Sequence, residues 1–177
     1  MAAIAPAVQE LKDTLAQTFP EILNTVFWDK YWDNGKDRTG KPKPKGRWAP
    51  RLQASGKNPN SGDPHDNGLA LDIFLFKTNW SEWALATELV NVFIVNKAVM
   101  GWSAVIYDGM TTDDFGGPKV YPGRDKHQTH IHIEWPRSRG IASAGFSYQI
   151  QYQLDMVAVS WRTGEQISPT AHTYPSY

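Results

Sequence analysis

Two short segments hold most of the metal-type ligands of this chain. Four of its five histidines lie in His65-x-x-Gly68-x-Ala70-x-Asp72 and His127-x-x-His130-x-His132; the fifth, His172, is near the C-terminus. Neutral imidazoles and a carboxylate suit a zinc site with three protein ligands and one position left for water, whose pKa such an ion brings to about 7. A lone histidine on a strand is most often a satisfied or exposed side chain, and a lone aspartate a turn support. Two ligand-rich segments far apart in sequence point instead to one site closed by the fold.

Local structure must position these groups. Pro64 and Asp66-Asn67-Gly68 are turn signals, and from Leu69 the chain becomes apolar and β-prone. His65 is therefore expected on a turn and Asp72 within a strand, with Gly68 supplying torsions that let the chain curl back. Ala70 shares the strand face of Asp72 and leaves room beside it. From His130 the alternation is strict: His130, His132 and Glu134 on one face, Ile131 and Ile133 on the other. That pattern is a strand with an apolar back and a polar front, preceded by His127 in a loop.

The remaining pattern implies an α+β fold, a small antiparallel sheet packed by helices. Val8, Leu11 and Leu15 recur at helical spacing over residues 6–18, where Pro20 stops the pattern. A second short helix is expected over 21–32. Residues 34–60 read as a long loop, in which the basic run 41–45 could attract anionic polymers but more simply is solvated. Ser81 is the expected N-cap of a helix to about Ala98, apolar at Trp83, Leu85, Leu89, Val92 and Phe93. A strand follows at 102–107, then a loop over 108–126 that lacks calcium-loop spacing and forms a candidate groove rim. Residues 147–160 alternate as a strand or two, with Tyr148, Ile150, Tyr152 and Leu154 on one face, and the last dozen residues read as an extended terminus.

The two ligand segments resemble the LAS group of zinc peptidases: lysostaphin-like enzymes, D-Ala-D-Ala metallopeptidases and the sonic hedgehog signalling domain. Within that group they look most like penicillin-insensitive murein endopeptidases and phage-associated or actinobacterial D-Ala-D-Ala-carboxypeptidase-like domains. Residues 101–108 resemble the strand those domains place between the two motifs. The resemblance covers about residues 45–136. It implies a hedgehog/D-Ala-D-Ala-peptidase-like fold, Zn²⁺ as cofactor, and His65, Asp72 and His132 as its ligands. It further implies that His127 and His130 are the catalytic or transition-state-stabilising pair. The chain departs from the family at Asp63, where Ser or Thr is usual, and at Thr129, where dipeptidase-type members carry an acid. Thr129 cannot act as general base, so the base is His127, His130 or Glu134, with histidine favoured because its ordinary pKa lies near operating pH. One imidazole would move the proton from water to the leaving amine while the other holds the developing oxyanion. Arg51 is a candidate carboxylate or oxyanion partner, though such an arginine is more often a surface or salt-bridged residue. Tyr107 and Trp102 are candidates to line the cleft, though aromatic residues there more often pack in a core.

Composition frames the same reading. The chain has 177 residues, a formal net charge of zero and no cysteine. One metallopeptidase domain over 1–177 is expected, with an N-terminal helix and a C-terminal extension from about 145. Neutrality gives no pointer to nucleic acid, and without thiols neither disulfides nor Cys-bound metal can operate. The run at residues 1–8 reads as no signal peptide, and no apolar stretch reaches transmembrane length. The expected function is cleavage of peptidoglycan stem peptides or crosslinks, of D,D-endopeptidase or carboxypeptidase type. The enzyme would be made in the cytoplasm and act on the wall or periplasm after release as a phage lysin or injection as an antibacterial effector. Delivery machinery or an immunity protein are the expected partners besides the wall peptide. Two alternatives belong to other classes: a hedgehog-like module with structural zinc, marked by a fourth protein ligand or a blocked water position, and a structural part of a phage or injection particle.

Overall fold

The segments flanking His65 and His132 fold into neighbouring strands. In a computed structural model, residues 3–29, 47–58, 60–142 and 145–164 are described. The order is α1 (Pro6–Thr18), β1 (Val26–Asp29), β2 (Arg47–Pro50), β3 (Leu52–Ala54), β4 (Ala70–Ile73), α2 (Trp80–Val95) and α3 (Lys97–Met100). There follow β5 (Ala104–Tyr107), β6 (Met110–Asp113), β7 (Gly116–Val120), β8 (Ile131–Glu134), α4 (Arg137–Ala142) and α5 (Ser147–Thr163). Strands β1 and β2 pair with each other, and the rest form one antiparallel sheet in the order β3-β4-β8-β5-β6-β7. The architecture is α+β, a small antiparallel sheet packed by helices.

Period-two patterning splits the sheet into two faces. Leu71, Ile73, Ile131 and Ile133 are fully buried and join Val105 in one apolar cluster with Val8, Leu11 and Leu15 of α1, Leu85 and Leu89 of α2, and Ile150 and Leu154 of α5. Each such side chain taken from water contributes about 1.5–3 kcal/mol. The opposite face carries, in one register row, Gln53, Asp72, His132, Ile106, Thr111 and Lys119. Chemistry-bearing groups thus sit on the face the helices leave uncovered. No described helix is long and apolar enough to cross a membrane.

Helix α1 has the expected bounds, with Pro6 in its first turn, where no intrahelical N–H is needed. Helix α2 is capped by Asn79 rather than Ser81: its Oδ1 accepts from the N–H groups of Ser81 (3.1 Å) and Glu82 (3.3 Å). The Ser81 hydroxyl instead accepts the Trp161 indole N–H at 2.8 Å. The helix ends at Val95, short of Ala98, because the Asn96 amide folds back onto the Val92 carbonyl; short α3 then stops at Gly101 in the left-handed region.

Four expectations are corrected. Residues 147–163 form helix α5, not strands: Ile150, Leu154, Val157 and Ala158 recur at helical spacing and are buried, whereas Tyr148 and Tyr152 are 90% and 73% exposed. Residues 21–24 form a turn, and Val26 and Phe27 enter β1 rather than a helix. The expected loop 34–60 contains β2 and β3. The expected loop 108–126 contains the β6–β7 hairpin, whose outer strand tolerates Gly116, Gly117 and Pro118 because it is an edge. The basic run 41–45, the last dozen residues and His172 lie outside the described residues.

Gly68 has φ +73°, and a Cβ there would meet the Ala3 carbonyl oxygen at 2.5 Å. Its own carbonyl accepts from Ala5 N–H at 2.8 Å, docking the N-terminal segment on the turn that holds His65. Gly68→Ala is therefore expected to cost about 1–3 kcal/mol or more. Urea unfolding reads this directly, and unchanged stability would contradict the assigned constraint.

Candidate metal centre

Strands β4 and β8 are antiparallel neighbours with Asp72 directly opposite His132 on the open face. The turn after Ser61 brings the third group over them. His65 N–H donates to Asp63 Oδ1 (2.9 Å), Gly68 N–H to the His65 carbonyl (2.9 Å), and Leu69 N–H to the Pro64 carbonyl (2.8 Å). The Ser55 hydroxyl, beyond β3, also donates to the His65 carbonyl at 3.0 Å. These bonds pin the backbone of the turn that carries His65.

The three groups converge. His65 Nε2 lies 3.1 Å from Asp72 Oδ1 and 3.2 Å from His132 Nδ1, and His132 Nδ1 lies 3.0 Å from Asp72 Oδ1. Donors around a tetrahedral ion at about 2.0–2.2 Å stand about 3.3–3.6 Å apart, so this triangle is within a few tenths of an ångström of a coordination face. Two ring nitrogens facing each other at 3.2 Å cannot both present lone pairs without a proton or a cation between them. These His and Asp side chains could hold a metal ion. No fourth histidine or carboxylate joins the triangle among the described residues.

Glu134, two residues along the same face, accepts from His132 Nε2 at 3.2 Å. A carboxylate on the far nitrogen directs the Nδ1 lone pair inward, as metal-ligating histidines require. Strand alternation places Glu134 on the face of His132, where it backs the imidazole rather than standing free as a base.

Without metal, the site is an ion-pair network. Burial pushes the Asp72 carboxyl up, but hydrogen bonds from His132 and His65, with the nearby imidazoles, outweigh it and hold the group well below the usual carboxylate range. Burial pulls His132 down, but hydrogen bonds to Asp72 and Glu134 overcome it and raise the imidazole to about 9. A raised histidine pKa stabilises the fold fully below the unfolded value near 6.5, and that contribution is lost as pH rises through about 9. The melting temperature of the metal-free protein is expected to fall between those limits. The same proton competes with metal at Nδ1, so ion uptake at pH 7 should release close to one proton. Calorimetry in buffers of different ionisation enthalpy measures that release, and uptake with no proton released would contradict ligation by His132.

His127 and His130 complete the polar face. Each is pushed below its ordinary value by burial, which Asp125 and Asp72 only partly offset, so both rings are neutral at pH 7. His127 has φ +50°, an uncommon region that histidine tolerates better than most residues. Its N–H meets Asp125 Oδ1 at 2.9 Å, and its Nδ1 lies 2.9 Å from the Asp125 carbonyl. A carbonyl only accepts, so Nδ1 carries the proton and Nε2 the lone pair. The ring centroid of His127 is 4.7 Å from that of His130 and 5.6 Å from that of His132. His130 Nδ1 is 3.1 Å from the Thr129 hydroxyl, and its Nε2 is 3.8 Å from Asp72 Oδ1. The role of Asp125 carries no sequence signal beyond its position two residues before His127.

An open cleft of about 510 Å³ is lined by His127, His132 and Glu134, by Asp63, and by Lys119 and Tyr121 of the β7 side. The rim expected over 108–126 is therefore present, as a hairpin.

Three expected substrate residues lie elsewhere. Arg51 is bound to Glu82 in a part-buried bidentate pair (2.6 and 3.1 Å) and also donates to the Phe74 carbonyl, and it does not line the cleft. Trp102 is fully buried, its indole N–H donating to the Phe93 carbonyl at 2.8 Å. Tyr107 is buried in the core cluster, on the helix side of β5.

Comparisons with protein-family models, curated proteins and solved structures found no match.

Proposed function

We propose that this protein is a zinc-dependent peptidase that cleaves stem-peptide or crosslink bonds of peptidoglycan, in the manner of a D,D-endopeptidase or carboxypeptidase. The observation that carries this reading is the His65–Asp72–His132 triangle, whose His132 corner lines a cleft, with the neutral imidazoles of His127 and His130 beside it. Two imidazoles and one carboxylate suit zinc, whereas magnesium and calcium favour all-oxygen sets. A zinc ion there would supply acidified water and polarisation of the scissile carbonyl.

The chain's own groups do the rest. His127 takes the proton on Nε2, its ring fixed by the Asp125 carbonyl, and returns it to the leaving amine. His130, when Nδ1 accepts from the Thr129 hydroxyl, presents Nε2–H to the developing oxyanion. The choice of wall peptide rests on the likeness of the two motifs to LAS peptidases. Release by lysis or injection brings the enzyme to the wall, with delivery machinery or an immunity protein as partner. A structural-zinc module would add a fourth protein ligand, and no fourth histidine or carboxylate joins the triangle among the described residues.

Purified sacculi incubated with the zinc-loaded protein should release muropeptides whose masses identify the bond cut. His127→Ala should slow release by about 10²–10⁴-fold, the usual contribution of a general base. Intact sacculi after prolonged incubation with the zinc-loaded wild type would end the proposal.

A further inference from the structure

The pair of histidines assigned to proton transfer has a second property. Ligand atoms of Asp125, His127 and His130 all lie within 4.8 Å of one another, in a group separate from the first triangle. His127 keeps a free Nε2 lone pair, because Nδ1–H is held by the Asp125 carbonyl. His130 can do the same, since a hydroxyl also accepts: with Nδ1–H donating to Thr129 Oγ1, its Nε2 lone pair is exposed. No hydrogen bond among the described residues occupies either Nε2. Asp125 is exposed, and its Oδ1 already accepts the His127 N–H, which leaves Oδ2 to approach an ion. Each ring therefore has its far nitrogen anchored by an oxygen, the arrangement that orients imidazole ligands.

We propose that Asp125, His127 and His130 form a second, weaker site for a divalent transition ion beside the first. Imidazole-rich donors favour zinc, cobalt, nickel or copper over magnesium and calcium. The exposed carboxylate, open to competition from water, makes it the weaker of the two. Asp72 Oδ1, 3.8 Å from His130 Nε2, stands between the triads and offsets repulsion between two dications. An ion there takes the lone pair of His127 and fixes His130 in the tautomer that cannot donate from Nε2. Excess metal would thus switch off the activity, a consequence that rests on the peptidase reading.

The test is metal stoichiometry. Metal-stripped full-length protein is titrated with Zn²⁺ by calorimetry and with Co²⁺ by visible absorption. The wild type should bind two ions per chain in two affinity classes. His127→Ala and Asp125→Asn should each lose the weaker class and keep the tighter; Asp125→Asn retains an acceptor for the His127 N–H, which guards against loop collapse. His132→Ala should lose the tighter class. A wild type that saturates at one ion, or a weaker class surviving in both Asp125→Asn and His127→Ala, overturns the proposal. Stoichiometry does not depend on turnover: two ions with untouched sacculi would remove the peptidase reading alone, and one ion with digested sacculi would remove the second site alone.

Discussion

His132→Ala is expected to abolish tight divalent-ion binding and, with it, release of muropeptides from sacculi. The substitution removes one corner of a triangle whose edges are 3.0–3.2 Å and leaves two donors, too few for a stable zinc site. Glu134→Gln provides the graded comparison. Its amide oxygen can still accept from His132 Nε2, but the charge that strengthens Nδ1 as a donor is gone. Affinity should then fall by about 10–100-fold, the range for groups that support a ligand from behind. Far-UV circular dichroism of the metal-free variants should match the wild type, because Leu71, Ile73, Ile131 and Ile133 pack on the other face. If His132→Ala binds the ion as tightly as the wild type, the metal is held elsewhere.

Arg51→Ala should produce the largest loss of stability among the residues considered. Its guanidinium lies 5.7 Å and 5.5 Å from the Phe27 and Phe76 ring centroids and pairs with Glu82, whose carboxylate also accepts from Phe76 N–H and the Asn79 amide. This knot ties the start of α2 to the segment joining β2 and β3; Glu82 is buried and the Arg51 side chain is 13% exposed. Removing one charge strands the other, at about 3–5 kcal/mol. For a chain of this size that lowers the melting temperature by about 10 °C. The paired replacement Arg51→Met with Glu82→Leu should recover much of the loss, because no lone charge remains. Metal affinity should be unchanged throughout. Unaltered stability with collapsed wall hydrolysis would return Arg51 to a substrate-binding role.

The contrast between Arg51 and His132 illustrates what sequence can reveal. Alternation after His130 places His132 and Glu134 on one face because strand period two is a local property. The same holds for α1, whose apolar spacing gave its bounds. Alternation misled over 147–160, where Tyr148 and Tyr152 mimic a strand face that burial of Ile150, Leu154, Val157 and Ala158 shows to be a helical stripe. The β6–β7 hairpin was hidden for the opposite reason: an edge strand rich in glycine and proline lacks the composition of a strand.

The residue types and their spacing determined by themselves which side chains could ligate a metal and which face of β8 would present them. Only the tertiary structure decided that Asp72 lies opposite His132, that the Gly68 turn carries His65 onto both, and that Arg51 belongs to Glu82. Donor chemistry belongs to each side chain. Convergence depends on strand register and on one left-handed glycine, which together set positions that no local period encodes.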